Sequence, residues 1–203
     1  MYFIGDCHGK FGDLKRICDS LAPRKCIQLG DMGFGFGLDD EFRACENLLF
    51  LRGNHDNPEV CRRYPNYLGD YGYLDDEDLF FVGGAYSIDQ AYRVEGQTWW
   101  KDEELSYADW REVIALYMDK RPGVVATHDC PHDAYPLLVG THRAVQKNRT
   151  SSALSQMFQL YMPKLWVFAH HHKFKTFTID RTAFVALGEL DVWDCSKASR
   201  IAV

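Results

Sequence analysis

The sequence lacks a run of about 18 apolar residues, the length that a helix needs to span a membrane. Its first residues, Met1 to Asp6, contain no basic region and no apolar stretch of signal-peptide length. We therefore expect a cytoplasmic protein that has no membrane partner.

Paired cysteines and clusters of basic residues are also missing. The chain has seven cysteines, an odd number, and none of them forms a CxxC pair. This pattern is typical of reduced thiols and argues against a zinc ribbon or a disulfide framework. The net charge is −6, and the sequence has no Lys/Arg cluster of the kind that binds along a nucleic-acid backbone. A metal-loaded cleft would still be locally positive and would accept an anionic substrate.

The chain does contain enough apolar residues for one large core. It has 203 residues, of which 46% are hydrophobic, and it shows no internal repeat or clear linker. We expect a single domain over residues 1–203. Apolar segments of strand length alternate with helical patterns, and a hairpin pattern over 176–187 closes the chain. This order predicts an α/β fold with some antiparallel pairing near the end.

Four stretches have helical patterns, some of them weak: residues 11–21, the segment around Phe42 and Cys45, the segment from Ser106 to Tyr117, and residues 154–161. Ser106 and Asp109 have the spacing of a capping box, which marks a helix start. Residues 129–150 predict a long loop. In that loop His132 and His142 are either surface histidines or contacts to substrate.

Five predicted strands end abruptly at polar residues. These ends carry Asp6 with His8, Asp31, Asn54 with His55, His128, and His170 with His172. The carboxyl ends of the strands in an α/β sheet meet at one edge, so we expect the five clusters to converge. One residue separates His170 from His172, as it separates Asp6 from His8. In an extended segment such alternate side chains point the same way.

Carboxylate, amide and imidazole groups in this number indicate a metal centre. The set needs no thiolate and suits Mn, Fe, Zn, Co or Ni better than Ca. Seven candidates are too many for one tetrahedral ion but suit two ions that share a carboxylate: Asp6, His8, Asp31, Asn54, His128, His170 and His172. Two ions about 3.5–4 Å apart clamp a phosphate and supply a metal-activated hydroxide. We expect two divalent cations, with Mn²⁺ favoured.

His55 follows the candidate ligand Asn54 and is the candidate general acid for the leaving group. Asp56 could orient its ring. His171 alternates away from its neighbours, so we expect a packing or hydrogen-bond role for it. With a metal-activated hydroxide as the nucleophile, no serine or cysteine nucleophile is required.

The order of these motifs resembles the calcineurin-like metallophosphoesterase superfamily. The family pattern is DxH, GD, GNH followed by Asp or Glu, a lone His, and GHxH. The matching segments are Asp6-Cys7-His8, Gly30-Asp31, Gly53-Asn54-His55-Asp56, His128 and Ala169-His170-His171-His172. Ala169 stands where the family has glycine. The resemblance spans residues 5–172.

The resemblance implies a role for each candidate. Asp6, His8 and His172 would hold one metal, Asn54, His128 and His170 would hold the other, and Asp31 would bridge them. His55 would assist the leaving group. The implied fold is a pair of mixed β-sheets sandwiched between helices, a four-layer sandwich.

The resemblance also implies hydrolysis of a phosphate ester, with a phosphodiester favoured. Phosphomonoesters and dinucleoside polyphosphates are alternatives, and a non-catalytic protein-binding scaffold is a remote one. Met32-Gly33-Phe34-Gly35 follows Asp31 where the protein Ser/Thr phosphatase branch has a phosphate-binding arginine, so protein phosphatase activity is not expected. No substrate-binding residue is assigned. We expect segments 59–78, 85–105 and 129–150 to select the substrate, with a nucleotide or a nucleic-acid end among the candidates.

Overall fold

The computed structural model describes residues 1–37, 39–140 and 147–201. Within these residues, eleven strands form two sheets, one of five strands and one of six. In chain order the strands are β1 (Tyr2–Ile4), β2 (Cys26–Gln28), β3 (Leu48–Phe50), β4 (Tyr71–Leu74), β5 (Leu79–Val82), β6 (Val124–Thr127), β7 (Leu165–Phe168), β8 (Lys175–Ile179), β9 (Thr182–Ala186), β10 (Val192–Asp194) and β11 (Ser199–Ile201).

Both sheets mix parallel and antiparallel pairs, which confirms the predicted fold class. The first sheet has the order β11-β10-β1-β2-β3, and its first three strands in sequence are parallel. The second has the order β4-β5-β6-β7-β9-β8, with a parallel centre and antiparallel edge strands. The last of these pairs, β8 with β9, is the predicted hairpin.

The register of the parallel strands brings their carboxyl ends level. In the first sheet Ile4 pairs with Gln28, and Gln28 pairs with Phe50. In the second sheet Thr127 pairs with Val82 on one side and with Phe168 on the other. Within each sheet the loops therefore begin side by side: those after β1, β2 and β3 in the first sheet, and those after β6 and β7 in the second.

The helices are α1 (Phe11–Leu21), α2 (Pro58–Cys61), α3 (Tyr107–Lys120), α4 (Tyr135–Val139) and α5 (Arg149–Leu160). The helix predicted over 11–21 is confirmed. The predicted start at Ser106 is also confirmed. The Ser106 side chain accepts the Asp109 N–H at 3.1 Å, and the Asp109 carboxylate accepts the Ser106 N–H.

Three apolar clusters separate the layers of the fold. The central cluster lies between the sheets and joins Phe3 and Ile27 of the first to Phe81 and Val167 of the second. A further cluster joins the outer face of the first sheet to α1. The third joins the outer face of the second sheet to α3 and α5. The order of helix, sheet, sheet and helix is the expected four-layer sandwich.

Two sequence predictions are wrong. The predicted loop 129–150 contains α4 and the start of α5, because Asn148 caps α5 by accepting the Ser151 N–H at 2.7 Å. The helix predicted around Phe42 is only a 3₁₀ turn (Asp39–Glu41). Phe42 follows this turn directly and packs against the ring of Phe34. His142 lies outside the described residues.

In the described ranges, no helix is both long enough and apolar enough to cross a membrane.

Candidate metal centre

The candidate ligands follow strands of both sheets at the edge where the chain leaves them. The first sheet supplies Asp6, His8, Asp31 and Asn54, and the second supplies His128, His170 and His172. Four of these residues have positive φ angles: 48° at His8, 55° at Asp31, 63° at His170 and 50° at His172. Such left-handed backbone costs about 1–3 kcal/mol per residue and clusters at functional sites. The extended conformation expected around His8, His170 and His172 is therefore wrong, because the chain turns at these residues.

One group of side chains consists of Asp6, His8, Asp31 and His172, whose ligand atoms lie within 4.8 Å of one another. The Nε2 atoms of His8 and His172 are 2.9 Å apart. His172 Nε2 lies 3.2 Å from Asp6 Oδ2, and His8 Nε2 lies 3.9 Å from Asp31 Oδ2. Two imidazoles and two carboxylates that converge in this way form a donor set for a divalent transition metal.

A second group consists of Asp31, His128 and His170, again within 4.8 Å of one another. His128 Nε2 lies 3.3 Å from Asp31 Oδ1 and 3.2 Å from Asn54 Oδ1. His128 Nδ1 lies 2.7 Å from the Leu29 carbonyl oxygen, an acceptor that holds the proton on Nδ1 and turns Nε2 towards the group. The Asn54 amide oxygen is therefore available as a fourth donor.

Asp31 belongs to both groups, with Oδ2 towards His8 and Oδ1 towards His128. Two glycines leave the space that the Asp31 carboxylate and the His128 ring occupy. A Cβ atom at Gly53 would overlap the Asp31 carboxylate, and one at Gly30 would lie 2.5 Å from His128 Nδ1. A side chain at Gly53 would thus displace Asp31 and His128, and one at Gly30 would displace His128.

The buried polar atoms of the site fit a cation. Two atoms of the site, Asp6 Oδ2 and His170 Nδ1, are buried and accept or donate no hydrogen bond within the described residues; the His172 Nε2 contact to Asp6 Oδ2 at 3.2 Å lacks hydrogen-bond geometry. Burial raises the pKa of Asp6 to about 8 and lowers the pKa of His170 to about 3, because water does not solvate either charged form. A divalent cation would stabilise the Asp6 carboxylate and would bind a neutral imidazole.

Without a bound metal, a protonated His128 would form a buried ion pair with the Asp31 carboxylate, since Nε2 lies 3.3 Å from Oδ1. Burial disfavours the charged form of His128, but the Asp31 carboxylate outweighs this effect and raises the pKa of His128 to about 9. Burial likewise opposes ionisation of Asp31, yet His128 holds the pKa of Asp31 well below its usual range. Since a ligating imidazole is neutral, metal binding would release this proton and would weaken in acid.

His55 lies beside both groups. Its backbone N–H donates to Asp31 Oδ1 at 2.8 Å, and its ring meets the His8 ring edge-on with centroids 5.5 Å apart. Two nitrogens of the Arg93 guanidinium approach the His55 ring, Nη2 at 2.8 Å from Nε2 and Nη1 at 3.2 Å from Nδ1. Burial lowers the pKa of His55; Asp31 opposes this effect and Arg93 adds to it.

The Asp56 carboxylate does not hydrogen-bond to the His55 ring, which the sequence suggests it could orient. Its Oδ1 accepts the N–H groups of Gly33 and Phe34 at 2.7 and 3.1 Å. Its Oδ2 accepts those of Met32 and Gly53 at 3.1 and 2.8 Å. In the described part of the chain, its hydrogen bonds thus go to backbone amides rather than to the His55 ring. The carboxylate ties the loop after β2 to the loop after β3.

A buried chain of hydrogen bonds orients the Asn54 amide. Asn54 Nδ2 donates to Ser87 Oγ at 2.9 Å, and Ser87 Oγ donates to Glu103 Oε2 at 2.5 Å. The Ser87 N–H donates to the other Glu103 oxygen at 2.9 Å. The Asn54 side chain is therefore fixed with its oxygen towards His128.

His171 belongs to neither of the two ligand groups, although its ring meets that of His170 with centroids 4.8 Å apart. Its Nε2 lies 3.2 Å from Asp129 Oδ1 and 3.4 Å from Cys130 Sγ. Its ring also meets that of Tyr135 edge-on, with centroids 5.1 Å apart. The expected packing and hydrogen-bond role of His171 is confirmed.

Two cavities adjoin the ligand groups. A cavity of about 300 Å³ lies against His55 and extends to Tyr86 and Tyr135. A smaller one of about 190 Å³ lies between His8 and Phe36. His55 lines both, so the site has room for groups on either side of that histidine.

Sequence reasoning missed Ser87, Arg93 and Glu103, which all lie in the unassigned segment 85–105. Asp89 and Arg93 are four residues apart and form an ion pair, and this spacing of opposite charges is a signal that the sequence did contain. His132, left open as a surface residue or a substrate contact, lines the larger cavity.

The family model for calcineurin-like phosphoesterases matches residues 1–174, and the chain belongs to this family. Members of the family are phosphoester hydrolases that bind divalent metals. The Asp and His groups described above lie within the matched residues. Among curated proteins, none matches the chain significantly.

Solved structures resemble this chain at low sequence identity. A candidate 5′-nucleotidase from Staphylococcus aureus is 15% identical, with a TM-score of 0.51 over 98% of this chain and 51% of that chain. The phosphopantetheinyl hydrolase of Mycobacterium tuberculosis is 15% identical, with a TM-score of 0.49 over 93% and 89%. An archaeal phosphodiesterase is 13% identical, with a TM-score of 0.46 over 100% and 99%.

Proposed function

We propose that this protein is a dinuclear metal-dependent phosphoesterase that hydrolyses a phosphodiester. The observation that carries the proposal is the position of Asp31, whose two carboxylate oxygens face separate groups of ligand side chains. A shared carboxylate is the arrangement that holds two ions about 3.5–4 Å apart. Membership of the phosphoesterase family supports a phosphate ester as the substrate.

The ligand residues divide between two ions. Asp6, His8 and His172 would hold one, Asn54, His128 and His170 would hold the other, and Asp31 would contact both. When bound, the ions polarise the phosphoryl group and supply the nucleophile by lowering the pKa of water from about 15.7 towards 7. Nitrogen and oxygen donors without a thiolate suit Mn²⁺, with Fe, Zn, Co and Ni as alternatives.

His55 would provide the proton that the leaving group needs. Burial keeps its ring neutral, but a phosphate anion beside the ring would favour the imidazolium, because an opposite charge raises the pKa of a histidine. As the bond from phosphorus to the leaving oxygen breaks, the proton passes from His55 to that oxygen. Asp56 would act as a positioning residue, since its contacts fix the loops that carry Asp31 and Asn54.

The two cavities favour a diester over a monoester. A phosphodiester carries two organic groups, and His55 borders one space of about 300 Å³ and another of about 190 Å³. A monoester would fill only one of them. Tyr86 and Tyr135 give the larger cavity aromatic walls, which would suit a flat leaving group such as a nucleoside.

The first experiment incubates Mn²⁺-loaded protein with bis-p-nitrophenyl phosphate and follows release of p-nitrophenol. A chelator-treated sample is the blank, and Mn²⁺ is then added back to it. We expect release that the chelator abolishes and the added metal restores. The metal content of each sample is measured in parallel, so that loss of metal and loss of turnover can be compared.

Other outcomes would favour the alternatives. Chelator-sensitive release from p-nitrophenyl phosphate alone would point to monoesters, and cleavage of dinucleoside polyphosphates alone would point to that class. Purified protein that binds no metal and cleaves none of these compounds would contradict the proposal and favour a protein-binding scaffold.

A further inference from the structure

Arg93 is held rigidly before any ligand arrives. Its side chain is only 12% exposed and follows a 3₁₀ turn (Gln90–Tyr92). Asp89 binds it through two contacts, Nε to Oδ1 at 2.8 Å and Nη2 to Oδ2 at 2.9 Å. The Thr98 carbonyl accepts from Nη1 at 3.1 Å. Three of the five guanidinium N–H donors thus have oxygen acceptors, which fix the plane of the group.

The remaining edge of the guanidinium faces the His55 ring. Its two nitrogens lie 2.8 and 3.2 Å from the two ring nitrogens of His55. A neutral imidazole has one acceptor nitrogen and an imidazolium has none. At most one of these two donors is therefore satisfied by His55. A charged donor that has little access to water and no acceptor costs free energy, so the arrangement favours an anion near this group.

Arg93 also lines the larger cavity, together with Asp31, Asn54 and His55. Among the described residues around the cavity, Arg93 is the only lysine or arginine. A guanidinium donates two parallel hydrogen bonds to phosphate oxygens, a geometry that an ammonium group does not offer.

We infer that Arg93 binds a non-bridging oxygen of the substrate's phosphoryl group and that Asp89 is the positioning residue that aims it. The identity of the ligand rests on the proposed function. A phosphodiester has two non-bridging oxygens, so one could face the cations that the ligand groups would hold while the other contacts Arg93. A substrate without a charged phosphoryl oxygen would gain nothing from this residue.

The test compares Arg93→Ala with Arg181→Ala, which removes an exposed arginine from the turn between β8 and β9. Binding of inorganic phosphate to the Mn²⁺-loaded proteins is measured by calorimetry, and kcat/KM is measured with bis-p-nitrophenyl phosphate. We expect Arg93→Ala to weaken phosphate binding about tenfold and to lower kcat/KM about 10²–10³-fold, with unchanged metal content. Arg181→Ala should match the unmodified protein.

Two further measurements separate binding from a merely structural role. Added guanidinium ion should restore part of the activity of Arg93→Ala, because it can occupy the same position. Asp89→Asn should lower kcat/KM less than Arg93→Ala does, and it should cause no further loss when combined with Arg93→Ala, since it acts through that arginine.

Unchanged phosphate affinity and unchanged kcat/KM in Arg93→Ala would overturn the inference. Loss of activity together with loss of metal would also overturn it, because the arginine would then only support the fold. If the unmodified protein cleaves no ester but Arg93→Ala alone loses phosphate binding, the proposed function fails and the anion-binding role of Arg93 stands.

Discussion

At the scale of single residues, Asp31 is under the strongest constraints. It is buried, its φ angle is 55°, and it lies close enough to Asp6 for the two carboxylates to repel each other. A left-handed backbone at a residue other than glycine costs about 1–3 kcal/mol. Cations bound between the ligand groups would offset both the strain and the repulsion.

We expect Asp31→Asn to lose metal and activity together. Asparagine tolerates the left-handed conformation, so the backbone should be preserved while the bridging charge is removed. Metal content should fall from two ions per chain to one at most, and turnover should fall at least about 100-fold, since even partners outside a ligand set cost 10–100-fold. Elemental analysis checks this, with Asp13→Asn on α1 as the control. Retention of both ions would contradict a bridging role.

His55→Ala should have the opposite combination of effects. Both ions should remain, because the His55 side chain belongs to neither ligand group. Turnover should fall roughly 10²–10⁴-fold, the range for loss of a general acid. The loss should be smaller for an ester whose leaving group is already acidic, such as a dinitrophenyl ester. Equal losses for acidic and basic leaving groups would argue against proton donation.

At the scale of elements, the central parallel strands and the candidate ligands could be predicted for the same reason. Both faces of these strands are covered, so they are continuous apolar runs, and polar residues at their ends are conspicuous. Parallel register then places the ends after Ile4, Gln28 and Phe50 level with one another. The roles assigned to individual ligands by family resemblance stay proposals.

The rest of the site could not be predicted because it depends on contacts without a sequence period. Arg93 meets His55 across 38 positions of the chain. Asp56 has backbone amides as partners, and no side-chain pattern reveals these. His170 and His172 have left-handed backbone angles, and the His170 N–H donates to Asp6 Oδ1 of the other sheet at 3.1 Å, a contact that an isolated strand pattern does not contain.

Gly53→Ala tests how tightly the loop after β3 is built around Asp31. A methyl group there would overlap the Asp31 carboxylate and the His128 ring. We expect lower thermal stability and loss of metal. Gly12→Ala on α1 is the matched control: its Cβ would meet nothing within 4 Å, and it should stabilise the helix by about 0.5–1 kcal/mol. If Gly53→Ala keeps its metal and its melting temperature, the packing argument is wrong.

At the scale of the whole molecule, the site spans the junction of the two sheets. A buried arginine strengthens the same junction. Arg52, after β3, forms an ion pair with Asp70, just ahead of β4, and donates to the Glu103 carbonyl at 2.8 Å. Burial opposes ionisation of Asp70, but the Arg52 guanidinium lowers the pKa of that carboxyl to about 2.

Asp70→Asn should lower the free energy of unfolding at pH 7 by about 3 kcal/mol, because it leaves the Arg52 charge without its partner. The pKa of Asp70 is lower in the folded state than its ordinary value of 3.8, so its contribution is complete above about pH 5 and is lost as the pH falls towards 2. The difference from the unmodified protein should therefore shrink in acid. Urea unfolding at pH 7 and pH 3 checks this. Asp75→Asn, at an exposed ion pair, should change little.

The strand order of the first sheet has a consequence for how the chain assembles during synthesis. Strand β1 lies between β2 and β10, and the Leu190 N–H donates to the Asp6 carbonyl at 2.9 Å. One side of β1 therefore has no neighbour until residues 190–194 leave the ribosome, just after β9 has completed the strands of the second sheet. Asp6 is synthesised well before residues 190–194, but the segment that carries it is fixed in place only when they pair with it.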